Sequence, residues 1–146
     1  MTNDIKIYPV APADFITHWS TVEPLLNKAL TVALQRYLAI DVLALMIQGQ
    51  GQGWFISEDN KILAIMVTKV EQFPRRRGLI VFALAGARMT EWFAQAEEIL
   101  TAHARRFGCD HFECQGRKGW ERVLELEPRA TFLVKDLLNN VGGADV

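Results

Sequence analysis

Apolar residues recur with two different periods along the chain, and the changes of period divide it into strands and helices. Alternating or continuous apolar runs predict strands at Ile5–Val10, Trp54–Glu58, Lys61–Gln72, Leu79–Leu84, Cys109–Gln115 and Ala130–Leu137. Apolar positions three or four residues apart predict helices at Phe15–Ala33, Leu38–Gln48, Met89–Phe107 and Arg117–Leu126. With the first helical run counted as one unit, the order is β, α, α, β, β, β, α, β, α, β.

Particular residues predict where these elements start, break and connect. Asp14 is expected to cap the first helical run, and Pro24 inside that run predicts two helical pieces. Gln48–Gly53 contains three alternating glycines and is interpreted as a connector. It lacks the Lys-Ser/Thr ending of a phosphate-binding loop and precedes a strand instead of a helix, so we do not interpret it as one.

Length and composition predict one domain in an ordinary globular protein. Of the 146 residues, 50% are hydrophobic and 23% are charged, and the formal net charge is −1. We expect a single domain over residues 1–138 and a polar tail over 139–146. No excess of positive charge steers the whole chain toward nucleic acid.

The N-terminus and the longest apolar runs predict a cytoplasmic protein without a membrane span. No basic region followed by an apolar run marks a signal peptide. The most apolar stretches, Leu38–Ile47 and Ile62–Val70, are much shorter than the roughly 20 residues that cross a bilayer. Cys109 and Cys114 would point to opposite faces of an extended segment, which argues against both a disulfide and a shared metal.

Three segments, together with the order of elements, carry a resemblance to a known fold family. Leu79–Phe107 reads as a buried strand, a tight turn and a long amphipathic helix, and Cys109–Cys114 reads as the next strand. Gly116–Leu124, with its Gly-Arg-X-Gly-Trp sequence, reads as the short helix that follows. The chain resembles the GNAT (N-acetyltransferase) fold over nearly its whole length, and most closely the small GNAT-like proteins of tailed phages and prophages. Trp54, Val67-Thr68 and Phe132–Leu137 are similar to that group as well.

The resemblance implies a fold and a place for a cofactor. The expected fold is a three-layer α/β (α+β) domain whose mixed, mostly antiparallel sheet is flanked by helices. In active members, acetyl-CoA lies between two splayed strands, and its pyrophosphate binds the start of the long helix. The corresponding residues here are Leu84, Gly86, Ala87, Arg88, Met89 and Thr90. The family's Gln/Arg-X-X-Gly-X-Gly/Ala signature is degraded, since one glycine remains and Met89 replaces a small residue.

The resemblance also implies catalytic groups that this sequence supplies incompletely. A tyrosine on the short helix usually protonates the leaving thiolate, but the two tyrosines here are Tyr8 and Tyr37. Trp120 lies near the expected place, and an indole is not an acid at neutral pH. Candidate bases are Glu71, His111 and Glu113. His111 and Glu113 share a strand face and would form either a proton-handling pair or a solvated polar surface.

Two basic clusters are candidate interaction surfaces. Arg75, Arg76 and Arg77 form one, and Arg117, Trp120 and Arg122 form the other. The arginine run would contact phosphates or an acidic partner, or be solvated, and no aromatic residue interleaves it. Trp120 is either a protein-protein anchor or the core residue of its own helix.

Two functions follow as expectations from the resemblance. The first is a non-catalytic phage or prophage protein, which binds phage structural or host proteins and acts as a virion or accessory component. The second is an acetyl-CoA-dependent N-acetyltransferase acting on a small amine or a host protein. The missing glycines and the missing tyrosine favour the first.

Overall fold

The computed structural model describes residues 4–31, 36–114, 126–129 and 133–138. Its strands are β1 (Ile5–Val10), β2 (Gln52–Glu58), β3 (Lys61–Gln72), β4 (Arg77–Gly86) and β5 (His111–Cys114). Its helices are α1 (Pro12–Thr17), α2 (Trp19–Leu30), α3 (Ala39–Ile47) and α4 (Met89–Arg106).

The five strands form one sheet in the order β1-β2-β3-β4-β5. The first three pairings are antiparallel, and β4 pairs with β5 in parallel over Gly78–Val81. This is the mixed, mostly antiparallel sheet that the sequence predicts. Helix α4 is the crossover between β4 and β5, as a parallel connection requires. β5 pairs with β4 along its whole described length, and residues 115–125 lie outside the described residues, so the expected splaying of the two strands stays a prediction.

Helices cover both faces of the sheet, so the predicted three layers are confirmed. One buried cluster joins α1, α2 and α3 to side chains such as Phe55, Ile65 and Phe82. The other joins α4 to the opposite face, where Trp92 and Leu100 are fully buried. Because successive strand residues point to opposite faces, each central strand contributes to both clusters.

An extra residue at Phe82 bends β4 near its middle. Val67 pairs with Ala83 and Thr68 pairs with Val81, so Phe82 has no partner on β3. Phe82 and Ala83 consequently both pack in the α1–α3 cluster. Such bulges re-aim side chains and are frequent beside active sites.

The first helical run breaks at His18, and the prediction of a break at Pro24 is wrong. His18 ends α1 and precedes α2 with φ −107° and ψ 25°, whereas Pro24 lies inside α2. Asp14 does not precede the helix as expected: Ala11 is the N-cap of α1, and Asp14, the third residue of the helix, accepts the Ala11 N–H at 2.8 Å. Asp41 accepts the Leu38 N–H in the same way at the start of α3.

The end of the chain differs from the sequence interpretation where it is described. Leu133–Leu138 has no regular structure, so the predicted strand is wrong over Leu133–Leu137. Leu133 is 92% exposed and Leu137 is 87% exposed, and neither packs in the core that a paired strand would need. Most of the predicted short helix, at 117–125, and the tail at 139–146 lie outside the described residues.

Candidate functional site

Strand β4 continues into α4 through only two residues, Ala87 and Arg88. Arg88 has φ 61° and ψ 36°, a left-handed conformation that a residue with a Cβ rarely adopts. The Ala87 N–H is already used, since it donates to the Leu63 carbonyl at 3.0 Å. The connection is therefore pinned to β3 and offers little backbone to a ligand.

Gly86 is required by packing between strands. It has φ +149°, and a Cβ built on it would lie 2.4 Å from Ala64 Cα and 2.4 Å from the Leu63 carbonyl oxygen. The missing side chain therefore admits the backbone of β3. The neighbouring Leu84 is 5% exposed and packs under α4, so it is a core residue.

The Arg88 guanidinium binds two carboxylates of this chain. It contacts Glu91 at 2.7 and 3.0 Å and Glu58, at the end of β2, at 2.7 and 3.0 Å. Each pair is a two-point contact, the strongest geometry between these groups. Hydrogen bonds to Glu91 and then to Glu58 raise the pKa of Arg88, and the bond from Arg88 lowers the pKa of Glu91. This trio is called the Arg88 clamp below.

The clamp changes what the start of α4 can bind. The amides of Met89 and Thr90 have no acceptor within the helix, because the first turn never does. Next to them, however, one guanidinium faces two carboxylates, which repel a pyrophosphate. Met89 is partly buried against the α4 core, and Thr90 is exposed. Five of the six predicted cofactor residues, Gly86–Thr90, are thus consecutive at this connection, but the arginine expected to meet phosphate is already paired.

The three candidate bases lie on the α1–α3 face of the sheet, at the start of β4. Glu71 and His111 flank Gly78 on its two neighbouring strands, and Glu113 is opposite Ile80. Gly78 lets the imidazole lie across β4, because a Cβ there would be 2.7 Å from His111 Cε1. The structure therefore places all three side chains on one face of the sheet, in two neighbouring rows that run across the strands. Glu71 and His111 are in the row of Gly78, and Glu113 is in the row of Ile80.

Both ring nitrogens of His111 contact carboxylates. Nδ1 is 2.6 Å from Asp110 Oδ1, and Nε2 is 2.8 Å from Glu113 Oε2. Two carboxylate acceptors require two N–H donors, which is the protonated ring. The bonds to Glu113 and then to Asp110 raise the pKa of His111. In this arrangement His111 is a held cation and not a free base, which leaves Glu71 as the candidate base without such a contact.

We expect the pKa of His111 to lie above the ordinary histidine value and the pKa of His103 to lie below it. Burial and then Arg106 lower the pKa of His103, in contrast to His111. Because the pKa of His111 is higher in the folded than in the unfolded protein, its contribution to stability is complete below the unfolded pKa of about 6.5. The contribution is lost as the pH rises through the folded pKa. NMR titration of the ring protons measures both. Glu113→Gln should lower the pKa of His111 and leave that of His103 in place, and an unchanged His111 would contradict the pairing.

Asp110, which sequence reasoning missed, links the histidine to the arginine run. The bond from His111 and then the Arg77 N–H lower its pKa to about 2, and Arg76 Nε lies 3.0 Å from it. Arg77 Nε donates to the Phe107 carbonyl at 2.7 Å. Arg76 and Arg77 are therefore engaged within the fold, and Arg75 is exposed. Arg117, Trp120 and Arg122 lie outside the described residues.

A cavity of about 750 Å³ lies at the opposite end of the sheet from the Arg88 clamp. Its walls include Gly49–Gln52, Thr68–Glu71, Tyr37 and Phe107. From the sequence, the glycine segment is interpreted as a connector. No local pattern predicts a cavity there, because the other walls come from distant parts of the chain. Glu71 and Tyr37 thus line the same cavity although they are far apart in sequence.

Several site types have no counterpart in the described part of the chain. No helix there has the length and apolar character needed to cross a membrane. No group of three His, Cys, Asp or Glu side chains in that part is arranged to hold a metal. Cys109 and Cys114 are free, and burial raises the pKa of the Cys114 thiol to about 12, so it is unreactive at neutral pH.

Solved structures of acetyltransferases resemble this chain throughout their length. A ribosomal-protein-alanine N-acetyltransferase from Brucella melitensis biovar Abortus 2308 has a TM-score of 0.63 and 12% identity, covering 91% of this chain and 99% of its own. A predicted acetyltransferase from Clostridium acetobutylicum, solved with acetyl-CoA, has a TM-score of 0.66 and 13% identity, covering 92% and 97%.

A third match agrees with these two. An aminoglycoside acetyltransferase from an uncultured soil metagenomic sample has a TM-score of 0.65 and 16% identity, covering 92% of this chain and 98% of its own. No protein-family model matches the sequence, and the comparison with curated proteins finds no match. Identities this low establish the fold alone: this chain has the fold of the GNAT acetyltransferases.

Proposed function

We propose that this protein is a non-catalytic, GNAT-like interaction protein that does not bind acetyl-CoA at the start of α4. The observation that carries the proposal is the Arg88 clamp. It holds the one cation of the expected phosphate site against Glu58 and Glu91 at 2.7 Å each. Gly86 is the remaining glycine of the degraded signature, and Ala64 of β3 fills the space beside it that a side chain would need.

An exposed apolar segment supports an interaction role. Leu133, Val134, Leu137 and Leu138 are each at least 60% exposed. Clusters of exposed apolar side chains are typical of protein-binding surfaces. The finer proposal, that the partner is a phage structural or host protein and that the protein enters a virion, is supported by the sequence resemblance of Gly116–Leu124, Trp54 and Phe132–Leu137 to small phage and prophage proteins.

Acetyl-CoA is expected to leave the melting temperature of the wild-type protein unchanged at millimolar concentration. A ligand at 100 times its Kd would add about 2.7 kcal/mol, or roughly 10 °C for a domain of this size. Differential scanning fluorimetry with acetyl-CoA and with desulfo-CoA measures this. A rise of several degrees in the wild type would contradict the proposal.

A pair of variants tests whether the clamp is the cause. Glu58→Gln with Glu91→Gln releases Arg88 and removes two negative charges, so we expect this variant to gain affinity for CoA phosphates. Glu97→Gln with Glu98→Gln makes the same charge change further along α4 and should gain none. Equal gains in both variants would assign the effect to net charge and not to Arg88.

One observation favours the second candidate function, an acetyl-CoA-dependent N-acetyltransferase. Tyr37 packs beside the β4 bulge, with its ring 5.7 Å from that of Phe82, on the same face as Glu71. A carboxylate and a phenol on one face of the sheet are groups of the kind that proton transfer uses. The acetyl-CoA titration decides between the two, because this function requires the cofactor to bind.

A further inference from the structure

Strand β3 extends past the start of β2 and leaves an internal edge. β2 pairs with β3 only as far as Gln52 opposite Thr68, whereas β4 continues alongside to Arg77 opposite Gln72. Among the described residues, Lys69–Gln72 therefore has a neighbouring strand on one side only. The space beside it is the cavity of about 750 Å³ between Gly49–Gln52 and Thr68–Glu71. We call this space the notch.

We propose that the notch binds an extended peptide segment of a partner protein, which adds to the sheet beside Lys69–Gln72. This names a binding site for the interaction role proposed above and rests on that role. An unpaired strand edge presents N–H and C=O groups in a row, and peptide recognition often uses them. Four residues of β3 span roughly 13 Å, so three or four peptide residues would pair.

The walls of the notch on the two faces of the sheet differ in chemistry. Val70 points to the α4 side, where Leu79 and the 45% exposed ring of Phe107 also line the space. Lys69 and Glu71 point to the α1–α3 side, where Lys69 Nζ lies 5.5 Å from the centre of the Phe82 ring. In an added strand, the side chain opposite Val70 would thus contact apolar groups. The side chains before and after it would lie opposite Lys69 and Glu71, one positive and one negative.

This alternation predicts the order of side chains in the bound segment. Both neighbours of β3 within the sheet are antiparallel, and a peptide in line with β2 would run in the same sense. A basic residue then lies opposite Glu71, an apolar residue opposite Val70, and an acidic residue opposite Lys69. Opposite charges directly across a strand pair are favourable and like charges are unfavourable.

The glycine segment leaves room for that segment. A Cβ built on Gly49 meets nothing within 4 Å, and one built on Gly51 would lie 3.6 Å from the nearest side chain, that of Val67. At these two positions the wall facing β3 therefore presents backbone and no side chain. Gly49 and Gly51, two of the three alternating glycines interpreted from sequence as a connector, acquire a second role in this proposal.

Titration of the labelled protein with two designed peptides tests the proposal. The first is a capped octapeptide of threonines with a central Arg-Val-Glu, and the second has the same composition with a central Glu-Val-Arg. Amide NMR shifts should move at Lys69–Gln72 and Gly49–Gln52 with the first peptide, and the second should bind about tenfold more weakly because its charges oppose those of the edge in the antiparallel direction. The proposal would be overturned if these amide signals did not shift at millimolar peptide, or if the two peptides bound equally tightly.

A charge-swapped protein provides the matched control. Lys69→Glu with Glu71→Lys keeps the net charge and should reverse the preference, so that the second peptide binds more tightly. If the swapped variant folds but still prefers the first peptide, the charge assignment is overturned. If the amide signals of Lys69–Gln72 in the wild type shift as the protein concentration rises without peptide, the occupant is a second copy of this chain instead. Acetyl-CoA added to the same samples should leave the amide signals of Ala87–Thr90, at the other end of the sheet, unchanged. Shifts there would contradict the proposed function, whereas unchanged signals at Lys69–Gln72 with peptide would contradict the peptide site, so the two failures are distinguishable.

Discussion

Replacing Gly86 by alanine is expected to destabilise the protein by roughly 3–5 kcal/mol, or to prevent folding. The new methyl group would lie 2.2 Å from Ala64 Cβ and 2.4 Å from two backbone atoms of β3, which cannot move without opening the sheet. The positive φ of 149° adds backbone strain. Urea denaturation followed by circular dichroism measures the change in the free energy of unfolding.

Gly49→Ala separates backbone strain from the steric clash. Gly49 also has a positive φ, of 76°, but an added Cβ meets no atom within 4 Å. Its substitution should cost only the left-handed strain, about 1–2 kcal/mol. Equal losses at the two positions would show that the contact with Ala64 contributes nothing.

The expected result also limits what Gly86 can reveal about a cofactor. A substitution there damages the β3–β4 pair before it blocks any approach to phosphate. Loss of acetyl-CoA binding in such a variant would therefore report on folding. Glutamine at Glu58 and Glu91 changes the charge of the same site without adding an atom between β3 and β4, so these substitutions are the informative ones.

Local sequence was enough to predict the elements whose signals are local. β3 occupies Lys61–Gln72 as predicted, because a long apolar run begins after a polar turn. The α4 helix begins at Met89 and ends one residue before the predicted end, since its apolar positions keep helical spacing for 18 residues. Pro24 misled the interpretation because a proline is tolerated in the helix interior where packing holds the helix, and α2 buries Val22 and Leu26 on either side of it.

The function of the site depends on contacts that no local pattern encodes. Arg88 is one residue from α4 in sequence, but its partner Glu58 is 30 residues away and comes into range only when β2 and β4 join the same sheet. Asp110 and Arg76, 34 residues apart, meet for the same reason. From the sequence, Arg88 is a candidate phosphate ligand; in the fold, its guanidinium is paired with Glu58 and Glu91.

The two ends of the sheet therefore have different properties. At the end where β4 meets α4, Ala87, Gly86 and Arg88 are each held by a backbone or carboxylate contact of this chain. At the other end, the notch leaves part of β3 unpaired among the described residues. The proposed binding role uses the second of these ends, because an unpaired strand edge offers N–H and C=O groups to a partner.

Replacing Trp92 by alanine is expected to cost roughly 3–5 kcal/mol. Trp92 is fully buried between α4 and the sheet, and its indole Nε1–H donates to the Ala87 carbonyl at 2.9 Å, fixing the first turn of α4 to the end of β4. Trp92→Phe retains most of the buried ring and loses that hydrogen bond, so its cost should be only about 1–2 kcal/mol. Chemical denaturation gives both values. Hydrogen exchange at Glu91, whose N–H donates to the Arg88 carbonyl at 2.9 Å, should quicken in both variants because the helix start is released. Similar stability losses in the two variants, or unchanged exchange at Glu91 in Trp92→Phe, would mean that the indole does not anchor the connection between β4 and α4.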